Sequence, residues 1–287
     1  MTKRRRNKTS SPKKLDTTDY SDAIKKIRLP GENMEYIKAV FYGRSGTGKT
    51  TLACTFPGPI LILDIKEEGD DSVADLKDKV KVMPIDHWEE IEQIYWYLHS
   101  GDHPYKTVVI DTVTQQQALK LTSLKEDMGK SADDLITKGM WGTTAGSINT
   151  WILNYRDLRM NVIFLAQDRT NKGDDAGDES DEQLDPEVGP AVMPSVAKTL
   201  QAAVKTVGQT YIKEVIKRNK KGITREVEYR LRIGPHAYYA SKIRKPKKRV
   251  APDYLVDPSY EKLMQVMKGE YKEDTPKKKK KKGKVNK

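Results

Sequence analysis

The 287-residue chain has one cysteine, no long apolar run and no apolar stretch behind its basic first residues. Each lack excludes something. A lone Cys54 can close no internal disulfide and can build no metal centre, which fits a reducing cytosol. It falls after the glycine-rich segment described below and reads as a small core residue. No run approaches the roughly 18 apolar residues that span a bilayer, so no membrane partner is expected. The opening MTKRRRNKTSSPKK has no signal-peptide core, so the expected location is cytoplasmic, in a bacterial host if the chain is viral. No internal repeat is visible.

The net charge of +12 is unevenly spread. Residues 1–28 and residues 272–287 each carry +7, which leaves the middle of the chain at about −2. Tails of this composition are expected to stay solvated and disordered. They attract nucleic acid without sequence preference and with strong salt dependence, although acidic lipids and address receptors also bind such ends. The expected organisation is a flexible basic arm at 1–30, one folded core at 31–258, and a helix remnant with a lysine-rich tail at 259–287.

The organising stretch is YIKAVFYGRSGTGKTTLA, from Tyr36 to Ala53. An apolar β-branched run leads into glycines and then a helix start. Gly43, Gly48, Lys49 and Thr50 have the P-loop spacing. Glycines let successive backbone N–H groups turn inward and form an anion nest, and the following helix points its positive end at the same phosphates. Gly43, Arg44, Ser45, Gly46, Thr47, Gly48, Lys49, Thr50 and Thr51 are therefore the nucleotide-binding candidates. Lys49 reaches the β- and γ-phosphates in this reading, and the Thr50 hydroxyl ligates Mg²⁺.

Beyond the P-loop the chain alternates strand and helix. Ile60–Ile65, Val80–Met83, Thr107–Asp111 and Val162–Ala166 read as strands. Helical patterns cover about His87–His99, Thr114–Asp127, Gly146–Leu158 and Pro194–Val204. That alternation predicts a mostly parallel, doubly wound α/β sheet with its ligand at the strands' carboxyl ends. Later the period changes to two: Ile223, Val227, Tyr229, Leu231 and Ile233 alternate with polar residues, which predicts a half-buried antiparallel strand. Its partner lies near Gln209–Lys217, and a last strand is expected over Ala237–Ile243.

Three positions complete a hydrolytic site. Asp111 ends TVVID, and a buried strand aims it at the P-loop, where it holds Mg²⁺ beside Thr50. Glu67 and Glu68 follow ILILDI and reach the γ-phosphate edge, where one of them activates water; Glu68, before Gly69, is the preferred one. Gln167 ends VIFLAQ and can hydrogen-bond the γ-phosphate or the attacking water.

The order GRSGTGKT, ILILDIKEEG, TVVIDT, VIFLAQ resembles the RecA-like ATPase core over about residues 34–250. More narrowly, it is similar to the short phage RecA-like recombinases that work with single-strand annealing. The resemblance implies ATP and Mg²⁺ as ligands, single-stranded DNA as partner, and a homo-oligomeric ring or filament. A single-strand-binding or replication protein is a further partner. It implies that the acid at Glu67 or Glu68 activates water and that Gln167 passes the γ-phosphate signal to a DNA-binding loop. It also implies an ATP site completed by a neighbouring subunit, with Lys242 and Arg244 in Ser241-Lys242-Ile243-Arg244 as candidate fingers.

Two departures stand out. The family's acid lies two residues after the strand's aspartate, and counting from Asp64 that position is Lys66. The segment after Gln167 carries seven acids between Asp174 and Asp185, which repel phosphate, so DNA contact falls to Arg169, Lys172, the tails and the late basic strands. Tyr238 and Tyr239 in that late segment either stack on bases or sit half in the core.

Asn171-Lys172-Gly173-Asp174 spells a guanine-reading motif, but it lies four residues past the strand end. Asp111 also lacks the glycine that GTPases carry three residues on. The reading is thus a DNA-stimulated P-loop ATPase. The alternative is a nucleotide-switched assembly or replication-partner protein with little turnover.

Overall fold

The computed structural model describes residues 20–25, 27, 36–67, 69–170, 188–219, 222–245 and 251–272. Contacts divide the chain into two units, residues 1–35 and residues 36–287. In the first, the described residues form one short helix, α1 (Ser21–Ile24).

The second unit is built on buried β-branched runs. β1 (Lys38–Tyr42) leads through the P-loop into α2 (Lys49–Ala53). β2 (Ile60–Asp64) is followed by a 3₁₀ helix (Gly69–Leu76), β3 (Val80–Pro84) and α3 (Trp88–Ser100). β4 (Thr107–Asp111) leads to α4 (Val113–Asp127) and α5 (Lys138–Asp157). β5 (Asn161–Ala166), the short pair β6 (Asp168–Thr170) and β7 (Val188–Pro190), and α6 (Pro194–Ala203) come next. The chain continues through β8 (Thr206–Asn219), β9 (Gly222–Arg232), β10 (Lys242–Ile243), β11 (Tyr254–Val256) and α7 (Tyr260–Lys268).

Among the described residues the main sheet has nine strands in the order β11-β9-β8-β1-β5-β4-β2-β3, with β10 paired to β8. From β3 to β8 every neighbour is parallel, and β9, β10 and β11 add antiparallel edges. All residues of β2, β4 and β5 are buried, as expected of parallel strands covered by helices on both faces. This is the α/β, mostly parallel, doubly wound fold with C-terminal antiparallel strands that the strand–helix alternation predicts. One strand, β5, separates the P-loop strand from the strand that ends in Asp111, which is the RecA-like order.

Several local expectations differ from the structure. α5 starts at Lys138, eight residues before the predicted helix, where Thr137 accepts a hydrogen bond from the Met140 amide. Gly139, Gly142 and Gly146 lower helix propensity there and hide that start in the sequence. The expected strand over Ala237–Ile243 shrinks to its last two residues, because His236 Nδ1 takes the amides of Tyr238 and Tyr239 into a turn.

The period-two stripe of β9 is real, but only its end is covered. Leu231 and Ile233 are fully buried, whereas Val227 is 59% and Ile223 65% exposed. The reason is topological: the far part of the β8–β9 ribbon runs beyond β1, which pairs only with Thr206–Gln209 of β8.

Candidate active site

The loop after β1 carries the geometry that the glycines permit. Gly46 and Gly48 have φ of +77° and +85°, left-handed values that glycine adopts without strain. Gly43 serves by closeness: a Cβ there would stand 2.4 Å from the Thr210 carbonyl oxygen and 2.5 Å from its hydroxyl. β8 therefore presses directly on the loop, and the Thr47 and Thr210 hydroxyls share a 2.7 Å hydrogen bond. Gly43→Ala is expected to force this backbone contact apart and destabilise the fold by about 1–3 kcal/mol, read as a lower melting temperature.

Lys49 is buried, and its Nζ donates to the carbonyls of Gly43 (2.9 Å) and Arg44 (3.1 Å). Burial lowers its pKa, while Asp111 and Glu67 pull the other way. The Thr50 hydroxyl donates to Asp111 Oδ2 at 2.9 Å. Burial pushes the Asp111 carboxyl up to about 6, against the opposing hydrogen bond from Thr50. Hydroxyl and carboxylate oxygens facing a phosphate nest are the hard donor set that suits Mg²⁺, which keeps its waters and takes one or two protein ligands. Among the described residues no cluster of three or more His, Cys, Asp or Glu exists that would point to a protein-caged metal.

Glu67 completes the wall. One carboxylate oxygen accepts from the Thr112 hydroxyl at 3.0 Å and the other from the Gln167 amide at 3.4 Å. Its own N–H donates to Asp64 Oδ1 at 3.0 Å. Three strand ends, β2, β4 and β5, thus meet at one carboxylate. Gln167 is itself fixed: its N–H donates to the Thr114 hydroxyl, and its carbonyl accepts from the Ala191 amide. Glu68 lies outside the described residues, as do Lys172, the Asn171–Asp174 motif, the acidic run and most of both basic tails.

These groups line one open cavity of about 850 Å³, with Ser45 to Thr51 along its floor and Glu67, Asp111 and Gln167 at one end. Lys242 and Arg244 stand apart from it. They flank β8 opposite the first half of β1, where Lys242 Nζ donates to the Gln201 carbonyl and the Arg244 N–H to the Lys205 carbonyl. Of the late tyrosines, Tyr239 lies under the Arg232 guanidinium at 4.1 Å, half-buried, and Tyr238 is exposed. Sequence reasoning did not find Thr112, Tyr229 or Asp257 among the site residues. Thr112 follows Asp111 directly, but its role shows only when Glu67 is brought to it.

Fold and site together define a P-loop NTPase with a RecA-like sheet. The chain belongs to the AAA domain family, whose model matches residues 35–244. No curated protein matches it. Among solved structures it is similar to the flagellar accessory protein FlaH from Methanocaldococcus jannaschii, at 8% identity and a TM-score of 0.35, over 78% of this chain and 90% of that one. No helix among the described residues is long and apolar enough to cross a membrane.

Proposed function

We propose that the chain hydrolyses ATP and couples hydrolysis to single-stranded DNA, as a phage recombination or replication protein that anneals or pairs strands. The observation that carries the hydrolytic part is Glu67, held between Thr112 and Gln167 in the cavity that Lys49, Thr50 and Asp111 also line. The P-loop amides and Lys49 bind the triphosphate and draw off its negative charge. Thr50 and Asp111 would hold Mg²⁺, which would supply neutralisation of phosphate charge. Glu67 orients a water in line with the γ-phosphate and accepts its proton. Gln167, bonded to that carboxylate and rooted at β6, passes the state of the site into the segment that follows.

Support for DNA comes from charge: a near-neutral core with a +7 tail at each end. Lys242 and Arg244, remote from their own P-loop, serve a neighbouring subunit's ATP in a ring or filament, and a single-strand-binding or replication protein joins the assembly. ATP hydrolysis at physiological salt, with and without single-stranded DNA, tests the reading, with Lys49→Ala as background. A severalfold rise with DNA that is absent in the mutant is the expected result. Turnover indifferent to DNA would remove the recombination reading and leave a P-loop ATPase acting on another partner.

A further inference from the structure

We propose that Tyr229 and the turn Asp257–Ser259 form the nucleoside end of the cavity, with the Tyr229 ring stacking on the purine base. The inference rests on the reading of the cavity as an ATP site. Glu67, Asp111 and Gln167 fix where the γ-phosphate goes, and Lys49 and Thr50 fix the β-phosphate. The cavity also reaches Leu52 and Thr55, and its lining includes Tyr229, Asp257, Pro258 and Ser259, with Tyr229 beside Gly48 and the Tyr260 N–H bonded to Thr55.

Two observations favour the base over any other occupant of this end. Tyr229 is the one aromatic side chain among the described residues that line the cavity, and its Cδ1 lies 3.4 Å from where a Gly48 Cβ would stand. The ring therefore sits directly over the P-loop's exit, within reach of a base whose phosphates occupy the loop. An aromatic face stacks on any base, because every base has a π-face.

The wall is also built to hold its shape. The Asp257 N–H donates to the Tyr229 carbonyl at 2.8 Å, tying turn to strand. Lys262 Nζ donates to the carbonyls of Val256 (2.6 Å) and Asp257 (2.9 Å). The Tyr260 N–H donates to the Thr55 hydroxyl at 2.8 Å, and the Tyr260 ring packs on Phe56 with centroids 5.1 Å apart. The turn is thereby joined to β9 on one side and to the end of the P-loop helix on the other. A turn already held in place needs no ordering when a nucleoside enters, so less of the contact is lost to ordering.

Calorimetric titration of the full chain with ATP and, separately, with inorganic tripolyphosphate tests the assignment. Tyr229→Ala is expected to weaken ATP about tenfold or more while leaving tripolyphosphate unchanged, and Tyr229→Phe to restore ATP binding. Tyr229→Leu keeps bulk without the aromatic face and is expected to follow alanine. Unchanged ATP affinity in the alanine and leucine variants overturns the proposal. An equal loss of tripolyphosphate also overturns it, because the ring would then act by propping Gly48. Lys49→Ala separates this from the underlying reading: it should lose both ligands, and if it keeps both, the ATP site itself is wrongly placed.

Discussion

Glu67→Gln is expected to lower ATP turnover by about 10²–10⁴-fold while nucleotide affinity stays nearly constant, the range that loss of a positioned general base produces. Glutamine keeps the length of the side chain and an oxygen that can accept from the Thr112 hydroxyl. It removes the charge and turns the other oxygen into an amide nitrogen that accepts no proton. Lys49, Thr50 and the P-loop amides are untouched, so binding persists while chemistry stops. Steady-state hydrolysis and equilibrium titration on one preparation give both numbers. Glu68→Gln made in parallel separates the two glutamates, and the larger loss is expected at Glu67, whose carboxylate Thr112 and Gln167 hold. If neither change slows turnover, the protein is the nucleotide-switched binder and not the enzyme.

The phosphate end of this site is written in contiguous sequence, and the rest is not. Gly43 to Thr50 announces itself because one loop supplies every amide that the phosphates need. Asp111 and Gln167 are legible because buried strands end where a parallel sheet places its ligands. Glu67 is a harder case. Choosing between two adjacent glutamates needs the Thr112 and Gln167 side chains, 45 and 100 residues away, and spacing carries no record of them. Tyr229 and Asp257 are harder still. Period two correctly makes β9 an antiparallel strand, yet periodicity reports which side chains share a face and not what covers that face. Here β1 pairs with the β8–β9 ribbon only at its base, so one end of the apolar stripe joins the core, the middle meets the P-loop, and the tip is exposed. Asp257, in a left-handed turn with φ of +45°, sits in a stretch with no motif at all.

Asp111→Asn should abolish hydrolysis and, in metal-free protein, raise stability at neutral pH. Burial lifts the Asp111 carboxyl from its ordinary 3.8 to about 6, so the folded state prefers the protonated acid. Wild-type protein without metal therefore loses stability from this group as pH climbs from about 4 through 6, and holds the full penalty above that. Each pKa unit corresponds to about 1.4 kcal/mol, so the penalty reaches about 3 kcal/mol at neutral pH. Asparagine cannot ionise, still accepts from the Thr50 hydroxyl, and escapes the cost. Thermal melts in chelator should show the variant well above wild type at pH 8 and level with it near pH 4. A variant that melts lower at pH 8 would show that the ionised carboxylate is stabilised by its neighbours instead. Adding Mg²⁺ with nucleotide should reverse the ranking, because wild type, with the Asp111 carboxylate toward the metal, gains more of the stability that linked binding to the folded state provides. The buried carboxylate is thus a local strain on the fold that binding relieves, which is the stability–activity trade expected where a site must hold charge ready for its ligand.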